Sequence, residues 1–93
     1  MNTSANPSAR PCLQPGFRLQ WEPAQNQHVL LFPEGMVKLN GSATEILKRC
    51  TGEATVAEIT AALEHAFQRE DLAREVASFI THAVERKWLT LTP

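Results

Sequence analysis

The protein has 93 residues, 43% hydrophobic and 20% charged, values of one ordinary globular domain rather than of a disordered or membrane-embedded chain. Nine basic against ten acidic residues leave a net charge of −1, which argues against a nucleic-acid partner, because phosphate recognition needs a basic face. No run approaches the ~20 consecutive apolar residues of a membrane span, so no membrane role is expected.

The first fourteen residues lack the apolar stretch of a secretory signal. They are rich in Asn, Ser and Pro, and residues 1–15 read as a flexible tail that cannot offset the entropy of ordering itself. Residues 16–93 then form the domain. Residues 17–22 alternate, with Phe17, Leu19 and Trp21 on one face and Arg18, Gln20 and Glu22 on the other, the pattern of a half-buried strand. A polar turn at 23–26 leads to a second strand over 27–32. Its end, 29–32, is apolar on both faces, as a central strand requires. Pro33-Glu34-Gly35 turns the chain into a short third strand, 35–39. No strand follows directly, so the far edge of this third strand is expected to be open. A hairpin with a free edge is well suited to binding an extended peptide.

Three helices are predicted next. Ser42 with Glu45 reads as a capping box for the first, with Ala43, Ile46, Leu47 and Cys50 at helical spacing and Thr51-Gly52 at its end. Thr55 with Glu58 forms a second capping box, followed by the stripe Val56, Ile59, Leu63 and Phe67. The third helix spans about 71–86, with Asp71 at its positive end and a core stripe of Leu72, Val76, Phe79 and Ala83. Residues 88–91 close the chain as a short extended segment. The expected fold is α+β and winged-helix-like: a three-stranded antiparallel N-terminal sheet, three helices and a short C-terminal extended segment.

No catalytic constellation is apparent. His28, His65 and His82 share no metal-ligand spacing with one another or with Cys or carboxylate residues, so neither metal nor cofactor is expected. Ser42 and Ser78 have structural explanations and no nucleophile motif. Cys12 falls in the tail and Cys50 on an apolar helix stripe. They read as free thiols of a protein in a reducing cytoplasm. Trp21 and Trp88 fit core positions.

The third helix carries a second apolar row beside its core stripe: Ala73, Ala77, Ile80 and Val84. Either the helix is packed on two sides, or this row lines a groove whose other wall is the third strand. A peptide could then add as a strand beside Met36, Val37, Lys38 and Leu39 and place its side chains against the helix. The candidate peptide-binding set is those four residues with Ala73, Ala77, Ile80, Thr81 and Val84. Lys38 blunts the edge against self-pairing or meets an acidic group of the peptide. Arg74, Ser78, Thr81 and Glu85 form a solvated face or a docking rim. Two other functions stay open. A winged-helix DNA-binding regulator fits the topology, but Asp71, Glu75 and Glu85 balance Arg74 and Arg86 on the would-be recognition helix. A small carrier of a planar ligand would rest on the two tryptophans and three histidines.

The residues 18–22 (Arg-Leu-Gln-Trp-Glu) and the run Val-Leu-Leu-Phe-Pro-Glu-Gly-Met-Val-Lys-Leu-Asn at 29–40 carry a resemblance. So do Glu45-Ile46-Leu47, Cys50, Gly52, Thr55-Val56, Glu58-Ile59, Leu63, Phe67 and Trp88-Leu89. Together they resemble pyrroloquinoline quinone (PQQ) biosynthesis protein D (PqqD), across about 17–89. One departure is Lys87, where a small turn residue such as glycine is expected. The resemblance implies a winged-helix-like recognition element for a ribosomally made precursor peptide. It implies a non-catalytic, cytoplasmic chaperone that binds the precursor of PQQ by strand addition and presents it to a radical S-adenosylmethionine enzyme. In related domains the peptide adds to the third strand and lies against the third helix. The carrier alternative becomes, in this family, a carrier of the quinone itself. The chain is expected to work as a monomer, with edge-paired or swapped dimers open to it at high concentration.

Overall fold

A computed structural model of the protein describes residues 6–92. Eight elements follow in order: β1 (Arg10–Leu13), β2 (Arg18–Glu22), β3 (Gln27–Phe32), β4 (Gly35–Lys38), α1 (Gly41–Lys48), α2 (Val56–Ala66), α3 (Ala73–Glu85) and β5 (Leu89–Thr92). Strands β2, β3 and β4 form an antiparallel sheet with β3 in the middle. Successive side chains of a strand point to opposite faces, yet Val29 and Leu30 are both fully buried. This is the two-sided covering that the apolar run 29–32 predicts. Leu30 enters the main core with Leu47, Ile59, Ile80 and Leu89, and Leu19 and Val37 pack against it from the flanking strands. The α+β architecture with three helices after a three-stranded sheet is as expected, with one strand more. Among the described residues no helix is long and apolar enough to cross a membrane.

The added strand is at the N-terminus. Residues 1–5 lie outside the described residues, but 10–13, expected in a flexible tail, form β1 and pair antiparallel with β5. The reason lies in backbone groups far along the chain. The first N–H groups of any helix have no partner within it. Here the Ala9 carbonyl accepts from Val56 N–H (2.9 Å) and the Pro7 carbonyl from Ala57 N–H (3.1 Å), at the start of α2. Gly52 N–H reaches the Pro11 carbonyl (2.9 Å) and Cys12 bridges to Thr51. Prolines lack only a donor, and this segment is used for its acceptors.

Helix starts follow local chemistry, with one shift. Asn40, not Ser42, caps α1: its side-chain oxygen accepts from Ala43 N–H at 2.8 Å. Asn serves as well as Ser in that role, and the helix begins two residues before the expected cap's own first turn. Glu45 is thereby released from a capping box. It pairs with Arg49 at 2.9 Å and Lys48 at 3.4 Å, and the Arg49 hydrogen bond holds its carboxyl below the ordinary carboxylate range. The Thr55–Glu58 capping box of α2 is present as predicted. Helix α3 has no side-chain cap of its own. Glu64 of α2 accepts from Leu72 N–H at 2.9 Å instead, and Asp71, at φ +56°, stands outside the helix.

Helix α3 ends in a Schellman arrangement. Trp88 N–H bonds the Ala83 carbonyl and Lys87 N–H bonds that of Val84, which puts Lys87 at φ +68°. This is the left-handed position that glycine commonly fills, so the helix stops where the expected glycine would stop it. On the first helix the stop differs. α1 ends at Lys48, and Gly52 (φ +90°) lies beyond, where the chain turns against Cys12.

Candidate functional site

The site begins with the backbone of β4. In an antiparallel pair, residues alternate between those whose N–H and C=O face the partner and those whose groups face away. Leu39 N–H bonds the His28 carbonyl at 3.1 Å, and the register runs unbroken from there through Val37 opposite Leu30 to Gly35 opposite Phe32. Val37 therefore turns its N–H and C=O toward β3. Met36 and Lys38 turn theirs to the outside, where the sheet has no further strand among the described residues. The side chains divide the same way: Val37 packs on the core, while Met36 (46% exposed) and Lys38 lie on the opposite, outer face. At the end of the strand, Gln27 donates from Nε2 to the Leu39 carbonyl (3.1 Å). Asn40 accepts from Thr44 N–H and Oγ1 through its carbonyl. These bonds fix the corner at which β4 becomes α1.

Beyond that corner lies an open cleft of about 450 Å³, lined by Asn40, Ser42, Ala43 and Ile46 on one side and by Glu75, Ser78, Phe79 and His82 of α3 on the other. Its apolar wall is Phe79, half-buried and in ring contact with Trp88 (centroids 6.4 Å apart). His82 meets Trp88 edge-on at 5.6 Å. A second cleft of about 350 Å³ adjoins it, between α1, α2 and α3, and shares Ser42, Ile46 and Glu75. Phe67 lines this second cleft and is 52% exposed. It was expected on the core stripe of α2, but that helix ends at Ala66 and Phe67 is its C-cap, so the chain leaves the stripe before the ring can follow it inward.

The helix-three half of the candidate set is placed differently from expectation. Ile80 is fully buried in the main core, so it offers no surface to a ligand. The buried line of α3 runs through Val76, Ile80 and Ala83. At about 100° per residue, Ala73, Ala77, Thr81 and Val84 fall on one flank of that line and Glu75, Ser78, Phe79 and His82 on the other. Only the second flank lines the cleft beside β4's exit. Ala73 is exposed, Ala77 and Thr81 are half-buried, and Val84 packs on the core. Of the strand residues, Met36, Val37 and Lys38 stand at the edge as expected, and Leu39 is buried. Periodicity marks the width of an apolar arc but not which flank meets the strand. Phe79, read as core, does pack against the core, and it also lines the cleft, a role the sequence reading did not give it. The signal that could have found it is its size beside the small residues of the other flank.

Other candidate groups are accounted for by structure. Burial, and after it the neighbouring Cys12, pushes the Cys50 thiol up to about 12. Its Sγ donates to the Ile46 carbonyl at 3.2 Å, so it behaves as a small core side chain. Trp21, expected in the core, is 47% exposed. It sits at the end of β2 next to the 23–26 turn and touches the His28 ring at 5.1 Å, outside the main core cluster. Among the described residues no group of three or more His, Cys, Asp or Glu could hold a metal ion.

Comparison with known proteins identifies the family and the fold. Residues 27–89 match the family described as Coenzyme PQQ synthesis protein D (PqqD). The chain is 52% identical over 82 residues to a protein of Azotobacter vinelandii named "PqqA binding protein", covering 87% of this chain and 89% of that one. A protein of the same name from Kluyvera intermedia is 42% identical over 80 residues, covering 85% and 87%. Among solved structures, the fold matches the solution structure of the PqqD truncation of Methylobacterium extorquens PqqCD, described as a stand-alone recognition element for ribosomally synthesised and post-translationally modified peptides. The TM-score is 0.72 at 28% identity, over 86% of this chain and 87% of that one. The match runs from the central strand through all three helices to the start of β5, and the chain belongs to the PqqD family, Coenzyme PQQ synthesis protein D.

Proposed function

We propose that the protein is a non-catalytic peptide chaperone of PQQ biosynthesis. It binds the ribosomal precursor peptide as an added strand along β4 and presents it, in the cytoplasm, to a radical S-adenosylmethionine enzyme. The observation that carries the reading is the pairing of two features at one place. The outward N–H and C=O groups of Met36 and Lys38 offer an unfilled ladder, and a cleft walled by Phe79 opens where that strand ends. Strand addition draws affinity from main-chain bonds and specificity from pockets for alternate side chains. The relatives' shared name, and the recognition-element description of the solved neighbour, support the peptide as the ligand.

Membership of the family supports the enzyme partner, and the relatives' name, "PqqA binding protein", supports a binding function. Of the two flanks of α3, the one bearing Glu75, Ser78, Phe79 and His82 is the peptide wall in this reading. Ala73, Ala77 and Thr81 are left for contacts outside the groove. The test is a titration of the full chain, in a Trp21→Phe background, with the synthetic precursor peptide. Because Trp88 lies against Phe79 and His82, the account expects a saturable change in its emission. A scrambled peptide should give none. Equal responses to both peptides would remove the reading.

A further inference from the structure

The sheet has a second outer strand, and its sequence is self-complementary. The alternation that turns Met36 and Lys38 outward on β4 fixes β2 as well. Even-numbered residues of β3 face β4, so Gln27, Val29 and Leu31 face β2, opposite Glu22, Gln20 and Arg18. The N–H and C=O groups of Leu19 and Trp21 then point away from the sheet. Among the described residues neither bonds the backbone of another segment, and no strand pairs with β2 on that side.

The side chains of β2 read Arg18, Leu19, Gln20, Trp21, Glu22. Placed antiparallel to itself about Gln20, this strand sets Leu19 opposite Trp21 of a second copy, twice. These are the two residues whose backbone groups face outward, so each such pair can exchange both N–H···O bonds. The same register sets Arg18 opposite Glu22 at both ends, in the non-hydrogen-bonded positions where facing side chains come closest. Register and charge agree, and each is obtained independently: one from the hydrogen bonding of β3, the other from the sequence. Slipping the pairing by one residue in either direction would set the inward-facing Gln20 backbone against outward groups. Within one chain the polar row is already drawn into line, Arg18 to Gln20 at 3.5 Å and Gln20 to Glu22 at 2.7 Å. Trp21, exposed to 47%, is the apolar group such a contact would cover.

We infer that β2 is a self-association edge whose partner is a second copy of this chain. The two copies join in an isologous pair about Gln20, in a continuous sheet of order β4-β3-β2 and then β2-β3-β4 of the partner. Both β4 edges remain free, so each copy keeps its own peptide site. One strand from each copy is a short interface, below the size of stable dimers, so the association is weak and concentration-dependent.

Sedimentation velocity on the full chain, over a hundredfold concentration range reaching millimolar, tests this with charge reversals at the exposed Arg18 and the half-buried Glu22. The wild type should show a monomer–dimer equilibrium. Arg18→Glu sets carboxylate against carboxylate at both ends, and Glu22→Arg sets cation against cation. Each should weaken the dimer at least tenfold. The double variant Arg18→Glu, Glu22→Arg restores both facing pairs and should recover the wild-type constant, which a loss caused by misfolding would not do. Peptide titration of Arg18→Glu should match the wild type. A chain that stays monomeric throughout, a dimer indifferent to the single reversals, or a double variant as weak as the singles would each overturn the inference.

Discussion

Strands β2 and β4 are the two outer strands of one sheet, and each turns two residues' worth of unpaired backbone to the outside. What differs is the company they keep. Strand β4 runs directly into the corner at Asn40 and the cleft walled by α3. Strand β2 ends at the 23–26 turn with Trp21 against His28, and none of its residues lines either cleft. An open edge supplies hydrogen bonds to any extended chain. A helix flank beside it supplies the selection. In the proposed reading the peptide site is the combination found at β4, and the β2 edge is its natural internal control.

The comparison can be broken or sharpened by substitution. The largest effect is expected within α3, where buried line and cleft flank are adjacent. Ile80→Ala should cost about 2–5 kcal/mol of stability in denaturant unfolding, the range for truncating a core side chain. Phe79→Ala should cost less stability and should lose peptide affinity. If Ile80→Ala left the fold as stable as the wild type, the division of α3 into buried line and binding flank would be wrong.

Next come the edges themselves. Proline removes a backbone donor. Lys38→Pro takes away an outward N–H while leaving the β3–β4 ladder intact. It should weaken peptide binding at least tenfold, about 1.4 kcal/mol, in a folded protein. Trp21→Pro makes the same change at the β2 edge and should leave the peptide constant where it was. Calorimetric titration of both variants gives the comparison directly, and equal losses would erase the distinction between the edges. Val37→Pro is a poorer probe, because the Val37 N–H faces β3 and its loss would leave a buried carbonyl of Leu30 unpaired, at about 1–3 kcal/mol.

The corner joining β4 to the cleft gives a smaller effect. Asn40→Ala removes the α1 cap and should cost about 1 kcal/mol. Ser42→Ala, at a cleft-lining position without a capping bond, should stay within about 0.5 kcal/mol. Thermal unfolding of the two variants would place the cap. The smallest effect is a gain. Lys87→Gly relieves a left-handed residue at the end of α3, partly offset by the entropy of glycine. It should raise stability by about 0.5 kcal/mol with peptide affinity unchanged.

The elements that were legible in the sequence are those whose cause is local. The strand at 18–22, the two-faced run at 29–32 and the Thr55–Glu58 box are each specified within a few residues and stand where expected, although Trp21 is exposed rather than on the inward face. The open edge of the third strand follows from chain order alone. What was not legible depends on groups distant in sequence. The carbonyls of Pro7 and Ala9 are ordered by the first turn of α2, which no reading of a polar N-terminus reveals. Asn40 and Ser42 are both good caps, and which one serves depends on the corner held by Gln27. Phe79 and Ile80 are neighbours of similar hydrophobicity. Their assignment to cleft and core rests on the rotation of α3 about its own axis, which packing against α2 and β5 sets and periodicity does not.

The measurement that tests the central claim most directly is amide hydrogen exchange at single-residue resolution, with and without the precursor peptide. Strand addition at β4 predicts that the Met36 and Lys38 amides become protected, that Val37 changes little because it is already bonded to β3, and that Leu19 and Trp21 on β2 are unaffected by peptide. Protection appearing on β2, or peptide bound at saturation with Met36 and Lys38 still exchanging freely, would contradict the account.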